Sequence, residues 1–435
     1  MKLKSILLTG AVCVSGTLMA QTYDWRPDTM GTGLGYIEDS YFHLDEGEVK
    51  NVSNSDWDLA IPGSGNGFRY VVATNNFGTG LNGKLYKLPR PAADFGADMT
   101  ADTAGLTPLN NEPEYWDGGA FGDTWGYYNI DDHSINGDTV FAYINANGAY
   151  QVLIQKYKAT TDPAGRQWTI KVANLDGTDT GTYYIEPHEE GYSDEHFFFF
   201  NLEDREYFSR EPKVGQWHLL ATKYGDVYGG MEGVFGITGV LTGPTVSIAA
   251  VSPLVPDDAD YEDVEGYNDT VRNIIGGNFK VLNYETFKWE LIDSLSYFIQ
   301  ALEGDDQAGD IWQVYFDYFP EGTSGTDVKI GLQIRKVYEA PATGIQQQNE
   351  LISNFVLAPN PASGSVNLLI DARQSIDNAV ITLVDISGRT VAQYHKNINS
   401  GFQNLVMDIS RLNTGMYMVH VQAEGFQMTE KLIVK

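Results

Sequence analysis

Metal-dependent hydrolysis would be sought first at His188-Glu189-Glu190, the start of a zinc-binding H-E-x-x-H. Position 192 is Tyr, so the second ligand is missing. His188 and His196 could share a metal only across a turn, with no third ligand obvious. Gly63-Ser64-Gly65 lacks the spacing of a nucleophile elbow, and no glycine loop with a following lysine offers a phosphate cradle. Asp257-Asp258-Ala259-Asp260-Tyr261-Glu262-Asp263 could hold calcium through oxygen ligands but lacks the mid-loop glycine of an EF-hand. Asn174–Asp179 is a weaker version of the same pattern, and both are expected to be solvated loops. Carboxylates are too abundant for one pair to be singled out for glycoside hydrolysis. These residues predict neither a catalytic group nor a metal site, and hence a non-enzymatic protein.

Binding chemistry is better represented. Tyr115-Trp116 and Trp125-Gly126-Tyr127-Tyr128 lie in glycine-rich stretches. Such aromatics can stack on a sugar ring or a flat porphyrin, or can form a satellite core under a long loop, the reading favoured here.

An internal repeat supplies the framework. One copy has Tyr41-Phe42-His43-Leu44, then Asp56-Trp57-Asp58-Leu59-Ala60. The other has Phe199-Phe200-Asn201-Leu202, then Gln216-Trp217-His218-Leu219-Leu220-Ala221. Val140-Phe141-Ala142-Tyr143 followed by Tyr150–Ile154 is answered by Ser296-Tyr297-Phe298-Ile299 followed by Trp312–Phe316. The step from Trp57 to Gln151 is 94 positions, and from Trp217 to Gln313 it is 96. Asn145-Ala146-Asn147-Gly148 reads as a hairpin turn between two strands. Phe197–Leu202 is too apolar for a half-exposed strand and is expected to be central. Helical periodicity is weak, with short turns expected near Asp123–Tyr128 or Val271–Asn278. The pattern predicts an all-β chain: two tandem antiparallel modules over 21–188 and 189–338, a linker over 339–353, and a small C-terminal β-sandwich over 354–435.

Composition agrees with that class. Aromatics make up 12% of the 435 residues, and 46 glycines suit short strands joined by tight turns. Net charge is -30. Lys2 and Lys4 give the first twenty residues +2 and the last 84 residues balance, so 21–351 carries -32. A surface of that sign repels nucleic acid and anionic lipid. Residues 1–20 read as a secretory signal, with Lys2 and Lys4 ahead of an apolar run over Ile6–Leu18 and Ala20 before a cut at Gln21. The sole cysteine, Cys13, falls inside it, and Gly10 stands where a lipoprotein signal needs a Leu-like residue. The mature chain would then hold no cysteine, which excludes disulfides and thiolate chemistry. No other stretch reads as transmembrane.

The C-terminal segment carries ordered motifs: Pro359-Asn360-Pro361, then Val384-Asp385-Ile386-Ser387-Gly388-Arg389-Thr390-Val391, then Leu412-Asn413-Thr414-Gly415-Met416-Tyr417, and finally Lys431-Leu432-Ile433-Val434-Lys435. Together these resemble the type A sorting domain of type IX secretion over its whole length. The resemblance implies recognition by the type IX machinery, release of the tail within Glu339–Ser353, and a protein secreted or attached to the cell surface. Pro359, Asn360, Pro361, Asp385, Gly388, Arg389, Gly415, Tyr417 and Lys431 are the positions that carry the match.

Tyr41–Val52 followed by Asp56–Ala60 resembles the HmuY family of secreted haem-binding proteins, and Trp217–Tyr224 fits the same frame more loosely. The resemblance implies haem or another flat apolar ligand. One family histidine, carried over by the strand that follows it, falls near Tyr127–Asn129 in the first copy and near Tyr284 in the second. Neither place is His. Tyr127, Tyr284 and the nearby His133 are the candidate ligand residues, with Met99 and Met231 on further loops. The competing reading keeps the framework without a haem site, as a surface or adhesion protein for glycan or protein.

Overall fold

The computed structural model describes residues 24–435 apart from 64–70, 116–117, 123–124, 159–164, 189–190, 193, 228–231, 265, 303, 306, 320–328, 341–351, 373–374, 386–388 and 424–425. The proposed signal, most of the linker, Met231 and Gly388 lie outside the described residues. The chain divides into two units, Met1–Glu339 and Ala340–Lys435.

The first unit is a stack of four antiparallel sheets, its strands numbered along the chain. A five-stranded outer sheet runs β1 (Arg26–Gly31), β22 (Lys329–Tyr338), β21 (Ile311–Tyr318), β20 (Ser296–Ala301), β17 (Val246–Val251). An inner sheet follows with β16 (Phe235–Thr242), β15 (Leu219–Asp226), β2 (Glu38–His43), β3 (Gly47–Ser53). The second inner sheet is β14 (Glu206–Phe208), β13 (Phe197–Asn201), β4 (Leu59–Pro62), β5 (Ala73–Thr74). The other outer sheet runs β12 (Gly181–Ile185), β11 (Gln167–Asn174), β10 (Ala149–Lys158), β8 (Ser134–Gly137), β7 (Gly126–Asn129), with β9 (Thr139–Ile144) on β10 and β6 (Lys84–Pro91) on β9. A separate hairpin joins β18 (Lys280–Asn283) to β19 (Lys288–Leu291). As expected, the protein is all-β. The turns expected at Asp123–Tyr128 and Val271–Asn278 are not helical where described: the first runs into β7, and the second is a series of bends and bridges.

Side-chain alternation along the inner strands explains the layering. Phe198 and Phe200 join Leu59, Ile61, Trp168 and Phe141 in one outer core. Phe42, Leu219 and Val240 join Ile299, Trp312 and Leu332 in the other. The alternate residues Tyr41, Ala60, Phe197, Phe199 and Trp217 meet between the two inner sheets. A strand buried on both faces needs an unbroken apolar run, which is why β13 reads Phe-Phe-Phe-Phe. Burying each such ring contributes roughly 1.5–3 kcal/mol.

The boundary expected at 188/189 does not separate the sheets. Each copy's aromatic strand pairs with the Trp-bearing segment of the other copy. Phe42 lies opposite Leu219 and Tyr41 opposite Leu220. Phe200 lies opposite Leu59 and Phe199 opposite Ala60. The register is the same in both. β1 likewise pairs with β22, so the strands β1–β3 complete the sandwich built by the second copy, while β4–β14 form the other. Period-2 alternation fixes which face a residue takes but not which strand lies beside it, so adjacency in sequence misplaced these pairs.

The second unit is a sandwich of β23 (Ile352–Ser363), β24 (Ser365–Ala372), β25 (Ile376–Asp385), β26 (Thr390–Ile398), β27 (Gly401–Asp408), β28 (Gly415–Ala423) and β29 (Phe426–Val434). Leu368, Ile370, Ile381, Leu383, Val419 and Leu432 fill its core.

Candidate functional site

Two equivalent clips hold the exchanged strands. Trp217 packs edge-on against Tyr41 at 5.1 Å, and Trp57 packs edge-on against Phe199 at 5.2 Å. The residue after each Trp reaches across the joint. Leu44 N donates to His218 Nδ1 at 3.1 Å, and Leu202 N donates to Asp58 Oδ2 at 2.7 Å. Each clip then leans on the hairpin loop of its own copy: His218 Nε2 bonds Asp305 at 2.9 Å, and Asp58 Oδ1 accepts from Asn145 at 2.7 Å. The strand ends are capped alike, since His43 Nδ1 accepts from Asp45 N and Glu46 N, as Asn201 Oδ1 accepts from Glu203 N and Asp204 N.

His43, His218 and Asp305 are buried with candidate ligand atoms within 4.8 Å of one another, the one group with metal-ligand spacing among the described residues. The matched clip argues for a different role. Asn201, Asp58 and Asn145 do the same hydrogen-bonding work with a set poorly suited to a transition metal. Both imidazoles also spend Nδ1 accepting backbone N–H groups, which requires that nitrogen to be unprotonated. His218→Asn keeps an acceptor and a donor and is expected to change stability little. His218→Leu strands Leu44 N–H and takes one donor from Asp305, which keeps Thr245 and Gln307, and is expected to cost about 1–3 kcal/mol in urea unfolding.

A cavity of about 130 Å³ opens at the joint between the inner sheets. Its apolar wall is Tyr41, Ala60, Phe197, Phe199, Trp217 and Leu220. Loop residues 111–113, 115, 118 and 119 border it, tied down by Asn111, whose Oδ1 accepts from Thr74 N at 3.0 Å and Ala120 N at 2.9 Å while Nδ2 donates to Thr74 O at 2.6 Å. Gly119 is required in that loop, since a Cβ there would meet Val72 O at 2.4 Å. Arg210 and Glu211 form the buried polar wall, with Lys223 and Arg272 beside them. Burial pushes the Glu211 carboxyl up to about 8 despite two backbone donors and the pull of Arg272.

The residues expected to bind a ligand lie elsewhere. Tyr127 is on β7, 60% exposed. His133 closes the β7–β8 turn, and its Nδ1 is hydrogen-bonded to Tyr128 at 2.6 Å. Tyr284 is 63% exposed in the β18–β19 turn. None lines the cavity. Met99 is buried in a small cluster with Leu88 and Val140. Trp125, read as satellite core, belongs to the main outer core beside Trp168. Of the acidic loops, Asp260 caps its own turn and Asp176 accepts from Thr178, while Asp257 accepts from Trp25 far along the chain, so these carboxylates are engaged within the fold. No motif marks the cavity's charged residues, because they come from separate segments, Arg210 and Glu211 from the link between β14 and β15.

In the second unit the motif residues act as clasps. Asp385 accepts from Arg389 N at 3.1 Å and Nε at 3.0 Å. Asn360 donates to Lys431 O at 2.6 Å and accepts from Ile433 N at 2.9 Å, tying β23 to β29 beside Pro361. Tyr417 donates to Asn413 O at 2.9 Å and lies opposite both Asp385 and Leu432, with Gly415 opposite Val434. Pro359 lies within β23. Residues 356–435 match a family described as the secretion system C-terminal sorting domain. The tail marks this chain for type IX export. Its destination is the cell surface or the exterior, and among the described residues no helix is long and apolar enough to cross a membrane.

No curated protein matches the chain. A solved structure of dimeric latent PorU from Porphyromonas gingivalis is 10% identical, aligned over 94% of this chain and 34% of that one, with a TM-score of 0.17. The chain therefore spans about a third of that structure's length. The BSP domain of a biofilm associated protein is 8% identical over 93% of this chain and 82% of that one, also at 0.17. Neither score carries an argument about fold or function.

Proposed function

We propose that the exported protein is a non-enzymatic binding protein and that the cavity between its inner sheets takes a small flat apolar ligand. The aromatic cavity wall is the observation that carries this reading. Asn111 and Arg210 spend their polar atoms on the protein itself, as does Oε1 of Glu211, which suits binding better than catalysis. An apolar cavity of about 150 Å³ is known to admit benzene, so about 130 Å³ suits a single ring. A porphyrin, with four pyrrole rings, is too large for this space. The likeness of residues 41–60 to the haem-binding family supports a flat ligand and a shared framework.

The adhesion reading has one observation in its favour. Two hairpins ahead of equivalent strands expose apolar tips, with Tyr127, Tyr128 and Ile130 on one and Tyr284 and Phe287 on the other.

Titration of the full chain with benzyl alcohol and with haemin separates these readings. Benzyl alcohol is expected to perturb tryptophan fluorescence saturably, and Ala60→Leu, which fills the cavity, to abolish the effect. A response indifferent to Ala60→Leu would remove the cavity reading. A sharpened Soret band that weakens in Tyr127→Phe, His133→Ala or Tyr284→Phe would restore haem in its place.

A further inference from the structure

The cavity is apolar at its wall, but its charged residues do not cancel. Arg210 is neutralised within the fold by Asp39 at 2.7 Å and Asp56 at 2.8 Å. Glu211, pushed up by burial, is mostly uncharged at neutral pH. Glu112, Lys223 and Arg272 remain. Among the described residues the Lys223 ammonium has no hydrogen bond, ion pair or ring contact. It is half-buried on β15, opposite Thr238. A cation left unanswered beside an aromatic wall is notable in a chain of net charge -30, where carboxylates are plentiful.

A sugar fits these surroundings poorly. Its hydroxyls would each need a partner, and the polar side chains around the cavity are largely committed, Asn111 to Thr74 and Ala120, and Arg210 to Asp39, Asp56 and Tyr41. Burying hydroxyls without partners costs more than the stacking returns. A ring without hydroxyls needs no such partners, and one carboxylate would answer one ammonium.

We propose that the cavity takes a single-ring apolar carboxylic acid, its ring against Tyr41, Phe199 and Trp217 and its carboxylate on Lys223. The proposal rests on the cavity reading above and adds the charge of the ligand to it. Benzoate and its neutral isostere benzamide, titrated calorimetrically into the full chain at low salt, test the two parts separately. Benzoate is expected to bind about tenfold more tightly than benzamide, the scale of one hydrogen bond to a charged group. Lys223→Gln is expected to remove that preference and leave benzamide within about twofold, while Lys223→Arg retains it. Equal binding of both probes, or a preference that survives Lys223→Gln, overturns the carboxylate assignment and leaves the cavity reading standing. Failure of both probes to bind overturns the two together.

Discussion

Replacing Arg210 with Met is expected to lower the stability of the first unit by about 3–5 kcal/mol, the usual cost of breaking a buried ion pair from one side. The guanidinium is 2% exposed and Asp39 is 4% exposed. Its Nη2 donates to Asp39 at 2.7 Å and also to Ser53 O, Nε donates to Asp56 at 2.8 Å, and Nη1 donates to the Tyr41 hydroxyl at 3.2 Å. The same group lies over the Phe199 ring at 5.4 Å. Arg210 follows β14 in one sandwich, and its partners sit on β2, on Ser53 at the end of β3 and in the link to β4. It therefore ties together the two chain crossings that exchange strands. Met fills much of the volume but strands Asp39, whose carboxyl burial already pushes upward. The check is urea unfolding of the full chain against Lys213→Met, which removes an exposed pair with Asp194 at 3.0 Å. Exposed pairs contribute about 0–1 kcal/mol. An Arg210→Met midpoint no lower than that of the control would refute the role.

How far the sequence disclosed this arrangement differs from element to element. Trp57 and Trp217, with nearly equal spacing to the following hairpin strands, mark positions that pack in matching ways. The run Phe197–Phe200 announced a strand covered on both faces, and β13 is one. The C-terminal motifs were legible because each clasp is local or joins segments at fixed places, as Asp385 does with Arg389. Strand partners were not legible. Phe42 and Phe200 could each pair with the nearer or the farther Trp segment without changing a residue's face, and the crossing links decide. The cavity was legible only in part. Its aromatic wall comes from the repeat motifs, but Lys223 and Arg272 are single charges in a crowded field, and only the folded positions show which one lacks a partner. Tyr127 lies in the hairpin before β9 and Tyr284 in the hairpin before β20, and a place along the chain says nothing of their exposure. His43 and His218 were read as framework letters, and their hydrogen bonds give them that role.

Glu211 should make the protein less stable as pH rises from about 5 to 8, and Glu211→Gln should remove most of that loss. The carboxyl is buried beside the cavity, and its Oε1 accepts from Phe197 N at 2.7 Å and from His196 N. Burial raises it to about 8, and Glu195 nearby adds to the effect. In the unfolded chain it titrates near the ordinary glutamate value of about 4.3. Between those two values the folded state holds a proton that the unfolded state has released. Stability therefore falls with pH across this window, at about 1.4 kcal/mol per pH unit for one group. The total is on the order of a few kcal/mol, absent below pH ~4 and complete above pH ~8. Gln keeps an oxygen for the two backbone donors and cannot ionise, so the variant's advantage over the wild type should be about 1 kcal/mol near pH 5 and grow to a few kcal/mol at pH 8.5. Asp58, raised to about 6 by burial, adds a slope of the same sign at lower pH. Lys280, lowered to about 7 by burial beside Phe279 and Phe319, adds one of opposite sign above neutrality, because its penalty is relieved as it deprotonates. Both slopes are common to wild type and variant and cancel in the difference between them. Urea midpoints of the pair across pH 5 to 8.5 give that difference directly, and parallel curves would show that Glu211 is charged in the folded protein and that its site is wetter than its burial implies.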